Sequence, residues 1–107
     1  MIKKIQLPFK VSGTEIKIPF RAVCSITDKQ FRGEVRIVYR PVRAALEYVD
    51  TEIAVKKICR QALTAEELAN FIFVEVRNSI HPSWLCVTVD VQKSAAHKPV
   101  VVWIDSR

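Results

Sequence analysis

Hydrophobic and polar positions trade places with two different periods along this chain. From Glu15 to Cys24 the sequence EIKIPFRAVC alternates, with Ile16, Ile18, Phe20 and Ala22 on one side. A period of two marks a strand with one buried face. Pro19 cannot donate to a ladder, so this strand belongs at a sheet edge or a bulge. Residues Gly33–Arg40 (GEVRIVYR) alternate again, with Val35, Ile37 and Tyr39 together. The polar stretch Ser25–Arg32 turns the chain between them, which predicts a hairpin with a long loop. The first twelve residues, MIKKIQLPFKVS, alternate weakly and read as an edge strand or a loose arm.

The period then lengthens. Asp50 or Thr51 can cap a helix through EIAVKKICRQAL, with Val55, Ile58 and Cys59 toward a core and Ile53, Lys56, Lys57 and Arg60 along it. Thr64 and Glu67 have the spacing of a capping box, so a second helix starts at Thr64. Leu68, Phe71, Ile72, Glu75, Val76 and Ile80 carry it to His81-Pro82, where the residue before proline resists helical angles. Strands Trp84–Val91 and Pro99–Ile104, joined by QKSAAHK, close the chain. The order β-β-α-α-β-β predicts an α+β domain with an antiparallel sheet. Its last strand, Val100 to Ile104, is apolar at every position. A sheet with one wet face should alternate, so a subunit partner is expected to cover what two helices cannot.

Composition narrows the class. The 107 residues make one domain, 1–107, and half of them are apolar. Gly13 and Gly33 are the only glycines, which excludes the clustered glycines of dinucleotide and phosphate loops. Cys24, Cys59 and Cys86 form no CxxC pair, and His81 and His97 lack a third ligand at metal spacing, so no metal is expected. No apolar run is long enough for a membrane span. With no signal peptide, the reducing cytoplasm is the expected compartment. The net charge of +6 suits anionic partners such as nucleotides, RNA or a cofactor phosphate, or serves only for solubility.

One set of residues, in a single register, points further. Cys24-Ser25-Ile26-Thr27, Tyr39-x-Pro41, Glu47, Glu66-x-x-x-Asn70 and Pro82-x-Trp84-Leu85-x-Val87 align without a gap from about Ala22 to Val91. In this register the chain resembles QueF, the nitrile reductase of queuosine biosynthesis, and the QueF-like proteins of the tunnelling-fold superfamily. The resemblance implies a subunit whose sheet closes with others into a ring-shaped homo-oligomer around a tunnel, with active sites between subunits. It implies Cys24 as the nucleophile on the nitrile of 7-cyano-7-deazaguanine, giving a covalent thioimide. NADPH would then reduce this to the aminomethyl product. It implies Glu66 as anchor of the purine edge and Glu47 as a second pocket residue.

The chemistry suits these residue types. A nitrile carbon calls for a soft nucleophile such as a thiolate, and its nitrogen must gain a proton. A purine N–H and amino edge matches a two-oxygen acceptor. This sequence also departs from the pattern. Phe31 stands where the family has its acid, which leaves Asp28 as the nearby carboxylate for that role. Ala65 replaces a histidine beside Glu66. Glu47-Tyr48-Val49-Asp50 replaces the stretch associated with NADPH, and Ser94-Ala95-Ala96 replaces Arg-Gly-Gly. These losses leave two alternatives open. One is a QueF-like amidinotransferase acting on tRNA, and the other is a non-catalytic purine- or pterin-binding ring protein. Structural readings also stand beside the functional ones. Cys24, Cys59 and Cys86 would be core thiols, Glu66 a first-turn helix acid, and Asp28 a turn former. Glu47 would be merely exposed, Lys56, Lys57 and Arg60 a solvated face, and Trp84 and Trp103 core or interface.

Overall fold

The computed structural model describes all residues, Met1–Arg107. Its elements are β1 (Lys4–Gln6), β2 (Thr14–Val23), β3 (Gln30–Arg40), β4 (Ala44–Leu46), α1 (Tyr48–Ile58), α2 (Ala65–Ile80), β5 (Trp84–Ser94) and β6 (Val100–Asp105). Four strands form one antiparallel sheet in the order β2-β3-β5-β6, and β1 pairs with β4 in a second, two-stranded sheet. The expected α+β class and the order of the main elements hold. No helix is long and apolar enough to cross a membrane.

Alternation decides which face of the large sheet is covered. Ile18, Phe20 and Ala22 of β2, Phe31, Val35, Ile37 and Tyr39 of β3, and Leu85, Val87, Val89 and Val91 of β5 are buried on one face. Against them lie Leu68, Ala69, Ile72, Phe73, Val76 and Ile80 of α2 and Val55 of α1. Fully burying one such aliphatic side chain stabilises by about 1.5–3 kcal/mol before entropy is subtracted. The opposite face carries no helix. There Arg36 lies between Glu34 at 3.7 Å and Asp90 at 3.5 Å. Cys86, expected in the core, falls on the half-buried odd side of the β5 pattern and pairs with Val38 and Asp105.

Several local features differ from the sequence reading. The N-terminal segment is no loose arm. Its β1 pairs with β4, a buried three-residue strand that shows no alternation. Tyr39 holds this corner. Its buried hydroxyl accepts from the Leu46 amide at 3.0 Å, and burial pushes its acidity weaker than an ordinary phenol's. Helix α1 starts earlier than expected. Glu47, not Asp50 or Thr51, is its N-cap, and the Glu47 carboxylate accepts from the Asp50 amide at 2.5 Å. Asp50 is diverted to the Lys3 amide at 2.6 Å. Helix α2 follows expectation, with the Thr64–Glu67 capping box formed in both directions and His81 ending it in the left-handed region. Strand β6 is an edge whose Val101 and Trp103 are 46% and 63% exposed, so the face expected to be covered is open in the single chain.

Gly33 sits at the one irregularity of the β3–β5 ladder. Arg32 pairs with Lys93 and Gly33 with Val91, leaving Gln92 as the extra residue of a bulge. A Cβ at Gly33 would run into the Asp90 carbonyl and stand 2.8 Å from the Gln92 nitrogen, both main-chain atoms that cannot swing away. Gly33→Ala is therefore expected to destabilise the fold by about 1–3 kcal/mol or more, the range of an overpacked core. Urea denaturation checks this. Gly13→Ala, where the nearest atom is 3.6 Å away, is the tolerated control.

Candidate functional site

Strand β2 ends in a tight turn at Cys24. The Cys24 amide donates to the Lys29 carbonyl and the Asp28 amide to the Cys24 carbonyl, both at 2.9 Å. Thr27 and Ile26, the next residues of this turn, favour the ionised thiol through their backbone amides and, for Thr27, its hydroxyl. Hydrogen bonds to the charged form favour it, so the Cys24 thiol is held below its ordinary value, the Thr27 amide being the largest cause. Desolvation and the nearby Glu66 carboxylate oppose this without reversing it. Cys59 makes the contrast. Burial alone pushes its thiol up to about 11.

The turn is tied to helix α2 by backbone. Leu63 donates to the Val23 carbonyl at 3.0 Å and accepts from the Ser25 amide at 3.4 Å. Thr64 begins α2 one residue later, so the first turn of the helix stands beside Cys24. Its two acids then divide their tasks. Glu67 closes the capping box at 2.9 Å to the Thr64 amide, while Glu66 remains exposed beside the thiol.

A cleft of about 260 Å³ joins these groups. Cys24, Thr64, Ala65 and Glu66 line it together with Phe31, Val91, His97 and Val100. Phe31, at the position of the expected acid, is buried in its floor and meets Phe20 edge to face with ring centroids 5.6 Å apart. The structure thus brings Cys24 and Glu66 together and leaves two other candidates outside. Asp28 turns away in a left-handed conformation, φ 60°, on the exposed side of the turn. Glu47 is committed to the α1 cap. His97 was missed as a site residue, because only the folding back of the β5–β6 loop carries it to the cleft. Its Nδ1 lies 2.7 Å from the Lys98 carbonyl, and with the proton on Nδ1 it donates there and leaves Nε2 free. No cluster of three His, Cys, Asp or Glu groups is arranged to hold a metal.

The molecule is an α+β domain with a thiol, a carboxylate and an imidazole around one apolar-floored cleft. No protein-family model matches the chain, and no curated protein matches it. Among solved structures it is similar to the crystal structure of the archaeosine synthase QueF-Like in the apo form, with a TM-score of 0.83 and 24% identity. That match covers 92% of this chain and 96% of the other. The resemblance to QueF-like proteins read from the sequence holds at the level of the fold.

The three thiols differ enough to test the geometry. In native protein titrated with iodoacetamide and mapped by peptide mass, Cys24 is expected to react first. Its alkylation midpoint falls below the ordinary thiol value because a lowered pKa leaves more thiolate at any given pH. Cys59 is expected to trail toward pH 11. Thr27→Val removes the hydroxyl and moves the Cys24 midpoint up. Equal alkylation of Cys24 and Cys59 at pH 8 contradicts the site.

Proposed function

We propose that the protein is a thioimide-forming transferase. Cys24 adds to the nitrile of 7-cyano-7-deazaguanine, and the captured carbon passes to ammonia, with the base carried on tRNA. The observation that carries this reading is the cleft that brings Cys24, at the head of a tight turn, together with Glu66 and His97. The likeness to a solved archaeosine synthase supports the same class of chemistry.

The steps balance without any change of oxidation state. The Cys24 sulfur forms a C–S bond, one π pair of the nitrile moves to nitrogen, and that nitrogen takes a proton. The proton is that of the Cys24 thiol, and His97 Nε2, free to take it, is the group in the cleft suited to pass it on. Ammonia then adds to the thioimide carbon, the C–S bond breaks, and the sulfur leaves as a thiolate stabilised by the Ile26 and Thr27 amides. The product is an amidine. Glu66 accepts from the N–H and amino edge of the base and sets the nitrile over the sulfur. Reduction by NADPH is the competing outcome. Residues 47–50 do not fit a dinucleotide phosphate, since Glu47 and Asp50 are carboxylates already engaged with backbone amides. No step here runs through NADPH.

The cleft of a single chain is smaller than the ~300–1,000 Å³ of ordinary ligand pockets. The sheet has two unprotected edges, β2 and β6, and exposes Val101 and Trp103 beside one of them. Open apolar edges are a liability that closure removes. We therefore read the working form as a ring in which β6 of one subunit meets β2 of the next and the neighbour completes the pocket. The compartment that suits three free cysteines is the reducing cytoplasm.

Intact mass spectrometry after mixing with 7-cyano-7-deazaguanine is the test. The expected result is one covalent adduct on the wild type and none on Cys24→Ala. His97→Gln is expected to slow adduct formation by about 100-fold, the lower range for removal of a general acid. Glu66→Gln is expected to weaken ligand binding while the oligomer persists by light scattering. No adduct at saturating ligand overturns the nucleophile and leaves a non-catalytic binder, while a monomer at micromolar concentration overturns the ring.

A further inference from the structure

A cleft larger than the one at Cys24 lies elsewhere on the chain. It has a volume of about 830 Å³ and is lined by Arg21, Arg32, Lys56, Arg60 and Lys93 with no carboxylate among its lining residues. Three of these cations stand in a row. Arg21 is paired directly with Arg32 across β2–β3, and Arg32 directly with Lys93 across β3–β5. Directly opposed residues share a face, so the three side chains project together from the sheet. All three are exposed. None of them takes part in any of the chain's ion pairs, whereas Lys56 is paired with Glu52 at 3.3 Å.

Like charges placed directly opposite one another destabilise a sheet. An ordinary solvated surface intersperses signs, as this chain does four residues along β3, where Arg36, itself opposite Lys17, has both Glu34 and Asp90. At the row the fold forgoes that compensation. Strands lie about 4.8 Å apart, so three adjacent cations span roughly 10 Å. A nucleic-acid strand carries one charge per ~3.4 Å of rise and can match all three, while an isolated phosphate cannot. The row also leads to the thiol. Arg21, Arg32 and Lys93 line a second, adjoining cleft with Gln30, Phe31, Ser94 and Ala95. Phe31 in turn is part of the floor at Cys24.

We infer that Arg21, Arg32 and Lys93, flanked by Arg60, form a binding track for the backbone phosphates of an RNA strand whose modified base is delivered to Cys24. The track deepens the reading above by giving the RNA its phosphate partners. It can fail separately from that reading, because phosphate binding and thioimide formation have different readouts.

The test uses fluorescence anisotropy with unfractionated tRNA and with a short single-stranded RNA, at two salt concentrations. Arg32→Gln/Lys93→Gln is expected to weaken both about tenfold and to reduce the salt slope by roughly 0.7 for each phosphate no longer neutralised. The same double variant keeps its Cys24 adduct with free 7-cyano-7-deazaguanine. Cys24→Ala keeps full RNA affinity. Arg40→Gln/Arg43→Gln, an equal charge change at the other end of β3, leaves binding unchanged. Without RNA, Arg32→Gln is expected to raise Tm, because it relieves the opposed charges. RNA affinity and salt slope unchanged in the double variant overturn the track. So does a fall in Tm, which would mean the chain itself compensates the row. Displacement of the RNA by micromolar NADPH or ATP would assign the phosphate site to a small nucleotide ligand and overturn the RNA track.

Discussion

Two backbone hydrogen bonds at Leu63 govern the geometry of this molecule. Leu63 gives its amide to Val23 and takes the amide of Ser25. These bonds clamp the end of β2 to the residue just before α2, across some forty positions of sequence. Everything at the candidate site depends on that clamp. The turn at Cys24 is closed by its own bonds to Lys29 and Asp28, and the capping box closes the start of α2. Neither closure alone would set the thiol against Glu66. Long-range backbone bonds of this kind are possible here because α2 buries a full apolar face on the sheet and so fixes the level of its own first turn.

Much of the fold was legible in the chain because the informative residues act locally. Alternation at Ile16, Ile18 and Phe20, and again at Val35, Ile37 and Tyr39, is a property of neighbouring positions. So are the Thr64–Glu67 box and the stop at His81-Pro82. The parts that were not legible depend on distant partners. Ala44–Leu46 carries no periodic pattern and becomes a strand only because β1 arrives beside it. Glu47 caps α1 in place of Asp50 because Asp50 is claimed by the amide of Lys3.

The site divides in the same way. The resemblance to QueF singled out Cys24 and Glu66, and both line one cleft. Asp28, the nearby carboxylate left for the acid's role, stands in a left-handed turn and does not line the cleft, while the β5–β6 loop brings in His97. Phe31 then has a structural meaning that its position alone concealed. It lines the cleft and packs on Phe20, so an apolar ring stands near the thiol where the resemblance to QueF led one to expect an acid. The positive charge of the chain also sorts by face. Arg36 is balanced by two acids, and the row at Arg21, Arg32 and Lys93 is not.

The central claim is that the captured nitrile carbon goes to an amine and not to a hydride. Product analysis decides it most directly. RNA bearing 7-cyano-7-deazaguanine is incubated with the protein and ammonium ion without a reductant, then digested to nucleosides and weighed. The account predicts that the modified nucleoside gains the mass of one ammonia, and that Cys24→Ala yields none of this product. A nucleoside that stays unchanged until NADPH is supplied, and then gains only the hydrogens of a reduced nitrile, would contradict it.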